Sequence, residues 1–382
     1  MWIILASASF TVMAGGVIAP VLNLMGEGLG VNPSAARLII TTHGLFIAVC
    51  SPFAGILIDR VGVKKPFIFG LVIYGLSGAA GLLITNYWLL IISRMVMGGG
   101  IAAIYTAITV MILNMYKGQQ RNHIMGWRAS SNNFGGVIWP LLGGFLGTFS
   151  WHMPFAAYLL GIPLGVLAFI AIPEMHGGAI QSSNTTDNKE SLLSLFKNTP
   201  VLFITYGLTF LAMFFLFANV IFLPKLVERF GMANPLYIGI LLSVLGIAAA
   251  IASFLYGRIR AVLSYKAIVV IAMPFWAAGF AIIPQASSIW VVGLAMMLFG
   301  FGLGVIMPAA AVWAGESVPA SFRGRITSYL ATSGFIGQFL SPVILSPIAS
   351  SLGLNAVFIV IAGISALLFV VFLTFLRRRN RN

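Results

Sequence analysis

Apolar runs of about twenty residues recur along the whole chain, separated by short polar gaps. A hydrocarbon core ~30 Å thick asks for about that many apolar residues per spanning helix. Twelve stretches meet the requirement, over 2–24, 36–58, 67–85, 88–114, 126–149, 153–172, 200–223, 236–257, 266–285, 288–313, 325–350 and 354–376. The pattern predicts an all-α polytopic membrane protein with twelve transmembrane helices. Its first run, MWIILASASFTVMAGGVIAP, has no basic leader and passes into a polar turn, so it is expected to be a membrane helix and not a cleaved signal.

The longest polar interruption starts at Glu174 and reads EMHGGAIQSSNTTDNKE, a composition suited to a linker. It divides the chain into an N-terminal six-helix bundle (1–173), a linker (174–199) and a C-terminal six-helix bundle (200–382). The bundles are expected to be pseudo-symmetric, because RNHIMGWRASSNNFGGVIWP precedes RGRITSYLATSGFIGQFLSP by 202 positions, with Arg121 on Arg323, Gly135 on Gly337 and Pro140 on Pro342. Repeats related by an axis along the membrane normal are how transporters with a binding site between halves are built.

Charged residues make up only 7% of the chain and hydrophobic ones 60%, against about 25% charged in soluble domains. A water-soluble fold is excluded. The net charge of +14 could suit nucleic acid, but the cations lie in the gaps between apolar runs and form no basic soluble face, so no nucleic-acid partner is expected. Of the 21 Lys and Arg, only Arg37, Arg94, Lys225 and Arg229 fall on or toward one side of the membrane. The positive-inside rule then puts the linker and both termini in the cytoplasm, with the protein in a cell's inner membrane. The Asn184 sequon would matter only in a secretory lumen. Cys50, the single cysteine, forms no internal disulfide and reads as a small packing residue.

Only seven acidic residues are present, and one of them, Asp59, follows an apolar run in GILIDRVGVKK (55–65). A carboxylate at a helix C-terminus is disfavoured by the macrodipole and needs compensation. The stretch resembles the loop signature of the major facilitator superfamily, carried here by Gly55, Asp59, Arg60, Gly62, Lys64 and Lys65. The resemblance implies a latch that holds cytoplasmic helix ends together; the lysines are equally read as interfacial anchors. The matching loop of the second half, YGRIRAVLSYK, has Gly257 and Arg258 where Asp59 and Arg60 stand, so the acid is lost there. SRMVMGGGIAAI (93–104) resembles the family's fourth-helix pattern, with Arg94 about two turns into the span, facing a cavity or snorkelling outward. NNFGGVIWPLLGGFLGTFSW resembles the family's antiporter signature through Gly135, Pro140, Gly143 and Gly144, a gating helix, with Trp139 where that pattern has glycine. Twelve helices as six plus six complete the likeness to the major facilitator fold, and the GGFLGTFSWHMPF run adds to the likeness to its drug and metabolite exporters, the drug:proton antiporter branch.

Thr11, Asn23, His43, Arg94, Tyr105, Asn132, Asn133, Asn219 and Gln338 are the polar groups that the resemblance places around a central cavity. No carboxylate lies in the middle of a span. Glu316, near Arg323 and Arg325, reads as an inner-surface charge partner, and His43 is the midspan group titrating near neutral pH. It is read either as bonded to a neighbouring carbonyl or as a proton carrier. The 30 Phe and 16 Met suit a soft apolar cavity or lipid-facing filler. No HExxH, nucleophile elbow or Cys/His cluster occurs, and GFGLG (300–304) has no strand before it, so no enzyme, metal or cofactor is expected.

The expected function is alternating-access export of a small hydrophobic or amphipathic compound by a monomer in the lipid bilayer, with protons as coupling ion. Alternatives are an uptake carrier for a small anion or metabolite, with Arg94 as countercharge, and a non-transporting sensor or assembly partner. The topology has a direct check: in a Cys50→Ser background, Ser183→Cys should react with a membrane-impermeant maleimide only after the cells are permeabilised, and labelling of intact cells would reverse the orientation.

Overall fold

Asparagine and proline fix where the helices start. In the computed structural model, which describes residues 1–116, 118–173, 198–231, 234–319 and 323–379, Asn32 Oδ1 accepts from the Ala35 amide at 2.8 Å with Pro33 opening the helix. Asn86 does the same for the Trp88 and Leu89 amides. Such caps satisfy donors that the helix leaves unpaired, which lipid would leave exposed at high cost. The linker 174–197 lies outside the described residues, as do the side chains of Asp59, Arg121, Arg323 and Arg325.

Thirteen α-helices follow in order among the described residues: α1 (Trp2–Gly16), α2 (Leu22–Gly28), α3 (Pro33–Val61), α4 (Lys64–Ala79), α5 (Tyr87–Met115), α6 (Gly118–Gly147), α7 (Gly161–Ala171), α8 (Val201–Val227), α9 (Pro235–Val262), α10 (Tyr265–Ile282), α11 (Ile289–Glu316), α12 (Arg323–Leu352) and α13 (Leu354–Arg379). No strand is present among them. Among the described residues five crossings contain a 3-10 segment, three of them only as a last turn. The first, expected as one helix over 2–24, breaks after Gly16 into a 3-10 turn, Ala19–Val21, before α2. Pro20 carries no amide to continue the helix ladder, which accounts for the break. The sixth starts as a 3-10 helix, Met153–Leu160, and continues as α7.

Eleven helical stretches are long and apolar enough to cross a membrane, and α6 is not among them. At 30 residues α6 is about 45 Å long, ample for a crossing. It misses on polarity, because its first half reads GQQRNHIMGWRASSNN. Trp290 is 84% and Leu83 90% exposed, surfaces that only lipid would cover. The chain is a multi-pass, all-α membrane protein of twelve crossings.

The chain forms two compact units, Met1–Lys189 with Asn234–Gly239, and Glu190–Ala233 with Ile240–Asn382. Within the first, α5 packs on α3 and α4, and α1 on α6. The glycine run of α5 makes the first pair of contacts. A Cβ on Gly98 would sit 2.6 Å from the His43 carbonyl oxygen of α3, whereas one on Gly100 would sit 2.9 Å from the Gly70 carbonyl oxygen of α4. Helical residues two positions apart point about 200° apart, to nearly opposite faces, so Gly98 and Gly100 serve two partner helices. In the second unit α8 packs on α12 and α11, and α10 on α11 and α13. Gly300 and Gly304 of α11 abut the Leu245 and Ala249 carbonyls of α9, and Gly302 abuts Trp276 of α10. GFGLG is thus a helix-packing device.

The internal repeat carries through to individual bonds. Ser131 Oγ of α6 donates to the Leu5 carbonyl of α1 at 2.6 Å, and Ser333 Oγ of α12, 202 positions on, donates to the Tyr206 carbonyl of α8 at 2.8 Å. The tightest glycine in the first unit is Gly143, where any Cβ would overlap the Val17 carbonyl at the end of α1. Gly143→Ala is expected to lower stability by about 1–3 kcal/mol through overpacking, read as a fall in thermal midpoint in detergent. Gly136→Ala, whose Cβ would meet only Val12 at 4.0 Å, should stay within about 0.5 kcal/mol of the parent.

Candidate functional site

The polar half of α6 builds the densest polar cluster of the first unit. Arg128 Nη1 donates to Thr109 Oγ1 at 2.8 Å, and its guanidinium lies 4.5 Å over the Tyr105 ring, both on α5. Ser131 is committed to α1. Beside it, Asn132 Oδ1 is buried with no partner in the protein, and one face farther along, Trp139 Nε1 is buried and equally unpartnered. Seven residues is two turns, so the acceptor and the donor lie on one stripe of α6. A dry unpaired polar group costs about 1–3 kcal/mol. Water, or a ligand offering both a donor and an acceptor, would relieve both.

Trp139 is positioned by what surrounds it. A Cβ on Gly135, one turn earlier, would come within 3.1 Å of both the Trp139 indole and Ser9 Cβ, so glycine leaves room for the ring against α1. Phe10 meets the indole edge-on at 6.2 Å. The tryptophan stands out in the sequence as a departure from glycine, yet its role as a polar tip on the α6 stripe was not legible there. Thr11 Oγ1 is satisfied inside α1 by the Ala8 carbonyl, and Asn133 is half-buried on α6.

The expected gating helix differs in detail. α6 runs unbroken through Pro140, and the interruption lies opposite it, where α1 ends. A Cβ on Gly16 would meet the Pro140 ring at 3.5 Å, Gly143 receives the broken end of α1, and a Cβ on Gly144 would sit 2.7 Å from the Pro235 carbonyl oxygen of the same unit. These small residues receive another chain segment.

Arg94 corrects an expectation. Expected to face a cavity or snorkel outward, it is 0% exposed. Its Nη2 donates to the Gly78 carbonyl at 2.6 Å and the Ser77 carbonyl at 3.2 Å, and Nη1 reaches Met97 Sδ at 3.5 Å. Those carbonyls belong to the last turn of α4, where the helix leaves acceptors unpaired and the dipole is negative. The Phe155 and Tyr158 rings each lie 5.1 Å from the guanidinium carbon, attractive contacts once desolvated. Tyr158 Oη then donates to the Ala14 carbonyl of α1 at 2.7 Å, and Tyr74 Oη to the Phe10 carbonyl at 3.2 Å. Arg94 ties α4, α5 and the sixth crossing together through its Nη atoms and its ring contacts, while its buried Nε has no partner.

The remaining expected residues are dispersed. His43 is 1% exposed on α3, at the point where Gly98 packs. Asn23 is half-buried on α2. In the second unit Asn219 of α8 is wholly buried, with Nδ2 donating to the Phe215 carbonyl at 3.3 Å and Oδ1 unpartnered, and Gln338 of α12 is 4% exposed.

At the α3–α4 loop, Gly62 caps α3 with φ of 86°, a conformation that favours glycine, and its amide donates to the Ile58 carbonyl at 3.0 Å. Gly55 has open space around it, Arg60 and Lys65 are exposed, and Lys64 Nζ lies 5.3 Å over the Phe169 ring. Asp59 carries the latch expectation, and its side chain is outside the described set. The matching loop of the second unit has an acid after all, supplied by another helix. Glu316 Oε2 of α11 accepts from Tyr265 Oη at 2.6 Å and stands 4.0 Å from Arg260 Nη2, while Arg260 lies 4.0 Å over the Tyr265 ring. Glu316 was expected near Arg323 and Arg325; its described partners are Tyr265 and Arg260, which sit 51 and 56 positions away and gave no local signal.

Comparison with known proteins agrees with this architecture. The family model described as Major Facilitator Superfamily matches residues 4–259 and 205–382. The Bacillibactin exporter of Bacillus subtilis (strain 168) is 27% identical over 354 residues, 89% of this chain and 87% of that protein. The Quinolone resistance protein NorA of Staphylococcus aureus is 30% identical over 155 residues, 41% of this chain, and the match spans 39% of NorA. In fold, the crystal structure of the nucleoside transporter NupG superposes with a TM-score of 0.77 at 14% identity, covering 98% of this chain and 99% of that one. For Arg94 the expected result is structural. Arg94→Met removes the guanidinium donor from the buried Gly78 carbonyl, at about 1–3 kcal/mol, so the thermal midpoint should fall while KM for any transported compound stays put. An unchanged midpoint with a raised KM would return Arg94 to a ligand-binding role.

Proposed function

We propose, for a chain that belongs to the Major Facilitator Superfamily, secondary active export of a small hydrophobic or amphipathic compound by alternating access. The carrying observation is that similarity to the Bacillibactin exporter runs through 89% of this chain and 87% of that protein, with both halves included. The shorter match to a quinolone resistance protein points the same way. Under this reading the α6 stripe, Asn132 and Trp139 with Asn133 and Thr11, supplies contacts to the compound, and Asn219 and Gln338 remain cavity candidates of the second unit. An indole face with one donor beside one amide acceptor suits a ligand that is mostly apolar with a few polar groups.

The uptake reading has less behind it, because the Arg94 Nη atoms are engaged by α4 carbonyls and Met97 and the guanidinium lies against two aromatic rings. Protons are the proposed coupling ion, with His43 the candidate carrier in the first unit; its burial between α3 and α5 means that a proton would reach it only when those helices part. The protein acts in a cell's inner membrane as a monomer, with linker and termini in the cytoplasm, and the latch role stays with Asp59 and Arg60.

Proteoliposomes loaded with a pH-sensitive dye test the proposal, with bacillibactin and a quinolone as first compounds. Compound-dependent proton movement is expected. Asn132→Leu should weaken apparent affinity about 2–10-fold, the worth of one lost hydrogen bond, and His43→Ala should uncouple compound movement from proton movement. Compound uptake into right-side-out cells, or no compound-dependent flux with a broad panel, would overturn export.

A further inference from the structure

Where α3 ends and α4 begins, the first unit carries a groove of about 430 Å³ on its outer apolar surface. Leu57 and Val61 of α3, Phe69 and Val72 of α4 and Phe169 of α7 form its walls, and Lys65 closes one end. Phe69 and Phe169 are 64% and 66% exposed, so the groove opens away from the unit's interior and toward lipid. From Lys64 to Val72 is eight residues of helix, about 12 Å at 1.5 Å per residue. The groove thus starts at a helix end, where a membrane surface lies, and descends into the apolar zone.

Its charge is one-sided. Lys65 lines the groove, Lys64 is held above Phe169 at 5.3 Å, and Arg60 is exposed one residue before Val61. Every described charged side chain at this end is a cation, with Asp59 outside the described set. Basic side chains at the head of an apolar slot match a molecule with an anionic head and a hydrocarbon tail.

We propose that this groove binds an anionic phospholipid of the leaflet on the α3–α4 loop side, its phosphate against Lys64, Lys65 and Arg60 and one acyl chain along Leu57, Phe69 and Phe169. Cations of this kind merely anchoring a loop would attract the surface as a whole; the slot beneath them selects one lipid and holds it. The site adjoins the loop to which the latch is assigned, so its occupant stands where α3 and α4 turn. It is independent of which compound the protein moves.

The test uses the whole protein, purified in detergent after reconstitution into phosphatidylcholine with phosphatidylglycerol, with retained lipid counted by native mass spectrometry. Phosphatidylglycerol should be retained in clear preference to phosphatidylcholine. The Lys64→Gln/Lys65→Gln variant should lose roughly five-fold of that preference per lysine, on the scale of one basic residue near an anionic surface. Lys64→Arg/Lys65→Arg should keep it, and Val72→Trp, which fills the slot, should lower retention of both lipids. Equal retention of the two lipids by the parent protein, or a preference unchanged by the double Gln variant, would overturn the site. Retention unaltered by Val72→Trp would do the same.

Discussion

Lipid gives two apolar helices no hydrophobic reason to touch, so this fold depends on how closely their backbones can approach. The approach is made by glycines set against carbonyls. Gly98 and Gly100 bring α5 onto α3 and α4, Gly143 brings α6 onto the end of α1, and Gly300 and Gly304 bring α11 onto α9. At that distance dispersion contacts become numerous, and few bulkier residues are tolerated. Arg94 adds a charged polar tie, binding the end of α4 to α5 and to the aromatic rings of the sixth crossing. Between them, small residues and such buried polar ties replace the apolar collapse on which a soluble core relies.

The same arrangement separates structure from binding. Residues whose polar side-chain atoms are taken up inside the protein, such as Tyr74, Tyr158 and Ser131, act as internal fasteners. Those left incomplete, Asn132, Trp139 and Asn219, keep polar capacity that the protein itself does not use. Unfinished hydrogen bonding is the better guide to where a small molecule would be received, and Arg94 stands between the groups, with its Nη atoms paired and its Nε not.

Much of the fold was readable because a bilayer writes its constraint into composition: apolar runs of fixed length, cations in the gaps and a repeat at a fixed offset. The readable part stopped where contacts are non-local. α6 fails a simple hydropathy test, and its first turns, from Gly118, lay ahead of the apolar run read over 126–149, whereas the break in the first crossing had its sign in Pro20 and was passed over. Arg94 was read by depth alone, since no local pattern reveals that the carbonyls of Ser77 and Gly78 lie against it. The Tyr265–Glu316–Arg260 cluster joins three helices and has no local signature. Trp139 was visible as an oddity, but its unpaired indole emerges only from packing against Phe10 and Gly135.

Gly62 and Val63 are all that separates α3 from α4. Three peptide links from Val61 to Lys64 reach no more than about 11 Å even when fully stretched. With so short a tether the two rods cannot swing separately at that end: a push on one is delivered to the other almost undiminished. Any rearrangement that moves α3 must therefore turn the pair as a single lever, with its fulcrum elsewhere in the bundle.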